Sequence, residues 1–286
     1  LERPELADAE DLSGFRHVIC GAGPLTVELA QRFEERFRIP VVHGYGLSET
    51  TCYSSFLPVD LSRAEHEAWM RDHGFPSIGV AIPPNEMDVH DPGGRPLPDG
   101  TRGEIVIRGH NVMRGYLGRP EVNAETFAHG WFRSGDEGFR REGFYFLTGR
   151  IKELIIRGGV NLSPLEIDEV LNRLPGVAAG LAVGFENQWY GEEVGAFVKL
   201  QPGTSLTEEQ VLRACATALP FAKRPKAVVF GDTIPVTSTG KYQRGRLLHL
   251  FERWRAVQFH EAPDGVPIAA ASPPRREHPT PTEDPR

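Results

Sequence analysis

Between Phe15 and Val42 the hydrophobic period changes twice, and this change constrains the fold more than any other feature of the 286 residues. Residues 15–20 read as a short buried strand, followed by the turn Gly21-Ala-Gly-Pro24. Over 25–37 the apolar residues Leu25, Leu29, Phe33 and Phe37 recur every four positions with charges between them, which predicts an amphipathic helix. Val41 and Val42 begin a second strand. A strand, a helix and another strand predict an α/β layer.

The pattern shifts again past Ile78. Glu104-Ile-Val-Ile-Arg108 reads as a strand, and residues 139–146 as a hairpin turning near Gly143. Glycine and proline punctuate the rest, so a β-rich subdomain is expected there. Ser163 then serves as a helix N-cap, with Pro164 in the first turn and Glu166 closing a capping box. Strands over 179–184 and 193–200, a helix over 207–219, a strand over 227–230 and a helix over 244–254 follow. The expected fold is therefore an α/β remainder of a large domain over 1–150, with its β-rich subdomain, plus a small α+β domain over 151–259. Residues 260–286, rich in Pro, Ala and charge, are expected to be disordered.

The balance of 32 basic against 39 acidic residues argues against nucleic acid or an anionic membrane as main partner. Cys20, Cys52 and Cys215 form no Cys-x-x-Cys pair, so neither zinc nor a disulfide framework is indicated and a reducing cytoplasm is expected. No apolar stretch approaches the roughly 20 residues of a membrane span, and no signal peptide is visible. Because the chain opens on Leu1, a start inside a larger protein is expected. Oligomeric state is not legible.

Several short motifs suit nucleotide chemistry, although each alone also fits an ordinary turn or loop. Gly44-Tyr-Gly-Leu-Ser-Glu-Thr-Thr51 sets an aromatic between glycines at a strand end. Such a ring can stack on a base, and Glu49 can hold Mg²⁺ through oxygen. Asp136, closing Gly130-Trp-Phe-Arg-Ser-Gly-Asp136, can accept hydrogen bonds from a ribose diol. Arg157-Gly-Gly-Val-Asn161 can line a narrow channel. Pro235-Val-Thr-Ser-Thr-Gly-Lys241 carries a point cation on a small-residue loop, suited to charge developing on phosphorus.

These motifs, with Gly21-Ala-Gly-Pro-Leu25, Arg114-Gly-Tyr-Leu-Gly-Arg-Pro-Glu121 and Gly149-Arg-Ile-Lys-Glu-Leu-Ile-Ile-Arg-Gly-Gly159, occur in an order and spacing that resemble the adenylate-forming superfamily. That superfamily comprises acyl- and aryl-CoA synthetases, peptide-synthetase adenylation domains and beetle luciferases, and the resemblance runs over residues 15–254. It implies ATP, Mg²⁺ and CoA as cofactors or co-substrates, and a fatty or aryl carboxylic acid as substrate. It also implies roles for residues. Tyr45 and Gly46, with Gly21, Ala22 and Gly23, would hold adenine. Ser48 would meet the α-phosphate, Glu49 the metal, and Asp136 and Arg150 the ribose. Lys152 would be the hinge, Lys241 the adenylation lysine, and Gly158 and Gly159 part of the pantetheine passage.

One departure stands out. The superfamily's Ser/Thr/Gly-rich phosphate loop and the first half of its large domain are absent, so the missing N-terminal half is an expected partner and residues 1–286 alone are expected to be inactive. The double glycine and the short run over 150–161 resemble CoA ligases more than acyl-AMP ligases that load a carrier protein. A non-catalytic interaction protein derived from half a ligase is the alternative of another class.

Overall fold

The computed structural model describes residues 11–21, 23, 25–237, 242–262 and 265–269; Ala22, Lys241 and the residues past 269 lie outside them. β1 (Val18–Cys20) and β2 (Val41–Tyr45) pair in parallel across α1 (Val27–Phe37), as the opening period predicts, but β1 is not the buried strand expected, because it lies at the sheet edge with Ile19 61% exposed. The helix starts at Val27 because the Thr26 hydroxyl caps it, accepting from the Leu29 amide at 3.1 Å. Its buried residues are Val27 and Ala30, and Ala30 packs with Met70 of α2 (Arg63–Arg71) and with Val41. Of the expected stripe, Leu25 and Phe33 pack against this cluster, whereas Leu29 is 46% exposed, so the packed face coincides only in part with the one that the four-residue spacing picks out.

β1 and β2 continue into an eight-stranded sheet of order β1-β2-β3-β4-β8-β7-β6-β5. Its other members are β3 (Ser55–Phe56), β4 (Ser77–Ala81), β5 (Glu86–His90), β6 (Gly103–Arg108), β7 (Phe132–Arg141) and β8 (Phe144–Arg150). Apart from β1–β2, every pairing in it is antiparallel. The β7–β8 hairpin turns at Glu142 and Gly143, with φ of 51° and 83°, the two left-handed residues that a tight hairpin needs. The α3 helix (Pro120–Thr126) lies in the β6–β7 connection.

The chain leaves this sheet at Arg150, makes a 3₁₀ turn over Ile151–Glu153, and enters a second sheet at Ile155. There β9 (Ile155–Arg157), β10 (Val160–Leu162), β11 (Val177–Asn187), β12 (Gly191–Leu200) and β13 (Ala227–Phe230) assemble around β12. Side chains alternate between its faces. Val194, Ala196 and Val198 of β12 pack with Ile167 and Leu171 of α4 (Pro164–Asn172) and with Val211 and Cys215 of α5 (Glu208–Ala218). Phe197 points the other way, onto Leu247 and Phe251. The result is an α/β piece with a β-rich extension joined to a small α+β lobe.

Three local expectations are corrected. Arg244–Trp254 is helical but of the 3₁₀ type, since apolar spacings of three and four fit either helix. Ser163 is the N-cap of α4 without a side-chain cap bond, because its hydroxyl donates to the Thr148 carbonyl of β8. The expected disordered tail over 260–286 is ordered in part: β14 (Phe259–Glu261) and β15 (Pro267–Ala269) form a hairpin, and Phe259, just before that tail, is buried among the aromatic residues beneath the second sheet.

Candidate active site

The C-terminal end of β2 brings His43 and Tyr45 to one end of the first sheet, and Gly46 lets the chain fold back on itself there. A Cβ on Gly46 would lie 1.9 Å from the Cys52 carbonyl oxygen, a distance no side chain tolerates. Tyr45 donates its hydroxyl to Asp136 Oδ2 at 2.7 Å. Asp136 stands on β7 directly opposite Arg150 on β8, whose Nε is 3.3 Å from Oδ1. The Asp136 amide donates to Ser134 Oγ at 3.0 Å, which fixes the strand beneath the carboxylate. Asp136 is buried while Arg150 is half exposed, so the anion is presented from a fixed floor beside a movable cation.

Electrostatics follow the burial. Burial first, then the neighbouring Asp136 carboxylate, pushes the Tyr45 phenol well above its usual value, so it stays a donor. Burial lowers His43 despite backbone hydrogen bonds that oppose it, so the ring stays neutral, with Nδ1 2.9 Å from the Ser77 carbonyl.

Above this floor is a cleft of about 350 Å³ between the two lobes. The first lobe contributes Gly23, Tyr45, Gly46, Asp136 and Arg150; the second contributes Glu153, Leu165, Thr237 and Arg244. Arg244 escaped the sequence reading, because its partner is distant in the chain. It forks onto Asp168 of α4, with Nη1 3.0 Å from Oδ1 and Nη2 on Oδ2, and donates to the Ala182 carbonyl at 2.9 Å. Its only local signal is its place three residues after Lys241.

The other expected residues are placed as follows. Gly21 lies beside the cleft, where a Cβ would come within 2.7 Å of the Tyr53 ring. Ser48 and Glu49 sit on a 3₁₀ turn just past Leu47, where the cleft ends, and do not line it. Tyr116 donates to Glu49 Oε1 at 2.8 Å. Lys152 is exposed on the inter-sheet turn. Gly158 and Gly159, with φ of 57° and 82°, make the β9–β10 turn away from the cleft. Lys241 and Ala22 lie outside the described residues, but the roots of the Lys241 loop are fixed by a Val236–Tyr242 bridge and by the Gln243 amide, which donates to the Pro235 carbonyl at 2.8 Å. The Tyr45 ring differs from expectation. It is only 6% exposed, packed among Ile78, Met87 and Tyr145, so only part of it fronts the cleft.

Among the described residues no group of three or more His, Cys, Asp or Glu side chains is placed to hold a metal, and no helix is long and apolar enough to cross a membrane. Glu49 nevertheless suits Mg²⁺, which needs only one or two carboxylate ligands beside substrate phosphates.

The family models for "AMP-binding enzyme" and "AMP-binding enzyme C-terminal domain" match residues 1–117 and 166–241. The chain belongs to the AMP-binding, adenylate-forming enzyme family. It is 36% identical over 245 residues to a feruloyl-CoA synthase of Amycolatopsis sp., covering 84% of this chain and 47% of that one. Among solved structures it superposes on ATP-bound MatB from Rhodopseudomonas palustris with a TM-score of 0.75 at 32% identity, over 82% of this chain and 45% of that one. On apo MatB the score is 0.61, over 83% and 46%. It also superposes on the amide bond synthetase McbA from Marinactinospora thermotolerans with a TM-score of 0.77 at 29% identity, over 87% and 49%. The chain thus spans about half the length of the relatives it matches.

Proposed function

We propose that this chain is the C-terminal part of an AMP-forming carboxylic acid:CoA ligase. The observation that carries the proposal is the set Tyr45, Asp136 and Arg150 at the floor of an inter-lobe cleft, in a chain with the family's motifs in order. A buried carboxylate beside a half-exposed guanidinium suits the two hydroxyls of a ribose, and the cleft-facing part of Tyr45 suits adenine. Ser48 and Glu49, on the turn just beyond, would then meet the phosphates, and Glu49 would hold Mg²⁺. The metal's chemistry is to offset phosphate charge as the carboxylate approaches. The acid attacks the α-phosphorus of ATP, pyrophosphate leaves, and Lys241 stabilises the charge that develops. The small lobe then turns about Lys152 and brings Gly158 and Gly159 to the pantetheine arm, so that the CoA thiol displaces AMP.

An apolar surface supports the need for an N-terminal half. Phe15, Ile19 and Leu29 are 59%, 61% and 46% exposed around β1, the edge of the first sheet. Exposed apolar residues beside an unpaired edge strand favour a covering partner. The acid is a fatty or aryl one, and a cytoplasmic setting suits three free cysteines.

The test is pyrophosphate release over a panel of fatty and aryl acids, with the enzyme carrying its N-terminal half. At least one acid should trigger release, and CoA should then free AMP and acyl-CoA in equal amounts. Carrier-protein loading without CoA turnover favours the acyl-AMP ligase alternative. No acid-dependent release with any of the panel overturns the assignment.

A further inference from the structure

The sequence Ser163-Pro-Leu-Glu166 carries both residues of a capping box, yet in this structure neither closes one. Ser163 instead donates to the Thr148 carbonyl in β8 of the first lobe. Glu166 instead accepts from Arg102, which leads into β6 of the same lobe, and from Lys223 of its own lobe. Both helix-capping groups of α4 are thus turned across the lobe boundary. Elsewhere in the chain, Ser62 with Glu65 and Thr207 with Gln210 do close capping boxes, so the motif forms where no competing partner is at hand.

The surroundings suit a contact that breaks and reforms. Arg102 stacks over Phe75, its Cζ 5.7 Å from the ring centre, which holds its guanidinium towards the boundary. Lys223 fixes Glu166 from its own side. Burial would raise the Glu166 carboxyl, but the hydrogen bonds from Lys223 and Arg102 outweigh it and hold it below the ordinary value. Beside this pair a gap of about 580 Å³ separates Phe75 and Phe139 from Val170 and Arg173, so this stretch of the boundary is unfilled. At the same boundary Arg173 and Glu28 of α1 form a 4.0 Å ion pair between partly exposed side chains, and the Glu169 carboxylate is hydrogen-bonded by the Val27 backbone. The lobe arrangement is the one that superposes better on ATP-bound than on apo MatB.

We propose that Ser163 and Glu166 are a two-position switch for the lobes. In the posture seen here they bond to Thr148 and Arg102; when the small lobe turns, they close the capping box of α4. Each posture then satisfies the helix N-terminus or the boundary with the same two side chains, so neither state leaves those groups without partners. The turn therefore meets a small free-energy difference, as a reaction that alternates two postures requires. The inference rests on the proposed two-step reaction.

The test compares the half-reactions in the enzyme carrying its N-terminal half: acid-dependent ATP–pyrophosphate exchange, and thioester formation from supplied acyl-adenylate and CoA. Arg102→Ala removes the cross-lobe bond together with Arg102's contacts to Phe75 and Glu137 in its own lobe, whereas Glu166→Gln leaves those contacts in place and keeps a residue competent for the cap. Each should raise the ratio of thioester formation to adenylation roughly three- to fivefold, the scale of a partly exposed ion pair. The double variant should match the single ones, because they break one contact. Arg255→Ala, which breaks a surface pair with Glu186, should leave the ratio unchanged. The proposal is overturned if the ratio stays at the wild-type value in both variants, or if both half-reactions fall together. A second reading needs no turnover. Fluorophores at Leu117→Cys and Glu209→Cys, both exposed, report the lobe distance by energy transfer. Arg102→Ala should shift that distribution in the absence of substrates, and an unshifted distribution overturns the switch. If no acid supports exchange, the ligase assignment fails while the label distances still decide the switch.

Discussion

Arg244→Ala should destabilise the small lobe strongly. Arg244 is nearly buried, and its guanidinium forks onto Asp168, donates to the Ala182 carbonyl at 2.9 Å and lies 3.7 Å from Glu153. Asp168 is itself buried; burial pushes its carboxyl up, and the Arg244 charge pulls against that. Truncating Arg244 leaves this carboxylate with the Ala182 amide, 2.6 Å from Oδ1, as its remaining named donor. Removing one partner of a buried pair costs about 3–5 kcal/mol. For a lobe of this size that corresponds to a fall in melting temperature of roughly 10 °C or more. Arg255→Ala, whose pair with Glu186 is exposed on both sides, should cost well under about 1 kcal/mol. Thermal unfolding of both variants by circular dichroism separates the cases. An Arg244→Ala protein that melts within about 2 °C of wild type would refute the reasoning.

Other outcomes are expected. Tyr45→Phe removes a 2.7 Å hydrogen bond to a buried carboxylate and should cost about 1–3 kcal/mol in a denaturant titration while the ring packing stays. Gly46→Ala should reduce ATP–pyrophosphate exchange at least tenfold, because a Cβ there meets the Cys52 carbonyl at 1.9 Å; unchanged exchange contradicts the role of that turn. Lys226 gives a pH signature. Burial, opposed by Glu193 and reinforced by Arg157 and Arg224, lowers it to about 8 from 10.5. Below pH 8 it is protonated in both states; between 8 and 10.5 only the unfolded chain holds the proton, so stability rises with pH there. Lys226→Met should flatten that rise in stability measured against pH. Residues 1–286 alone should form no acyl-CoA, and a normal rate from this stretch contradicts the proposed need for an N-terminal half.

Much of the fold is legible in the sequence because it is written in local periods and turn residues. The parallel β1–α1–β2 unit, the β7–β8 turn at Gly143 and the strand pair β11–β12 each rest on such signals. Short strands such as β3 carry too few residues to show a period. Competition between partners is also invisible locally. Ser163 has a helix to cap and a neighbouring strand to bond, and only the folded chain shows that Thr148 wins. The partial covering of the α1 stripe has a similar cause, since α2 and β2 decide which of its residues are buried. In the site, glycine-flanked Tyr45 and Asp136 are marked by sequence, but their mutual hydrogen bond spans 91 positions. Arg244 and Asp168 lie 76 apart and carry no motif that joins them.

The central claim is that the inter-lobe cleft holds the nucleotide through Asp136. Its most direct measurement is the KM for ATP in pyrophosphate exchange by the Asp136→Asn enzyme with its N-terminal half. Losing charge-assisted bonds to a ribose diol is worth about 1.5–3 kcal/mol, so the KM for ATP should rise roughly tenfold or more while the KM for the acid stays within about twofold. A folded Asp136→Asn enzyme with the wild-type KM for ATP would contradict the account.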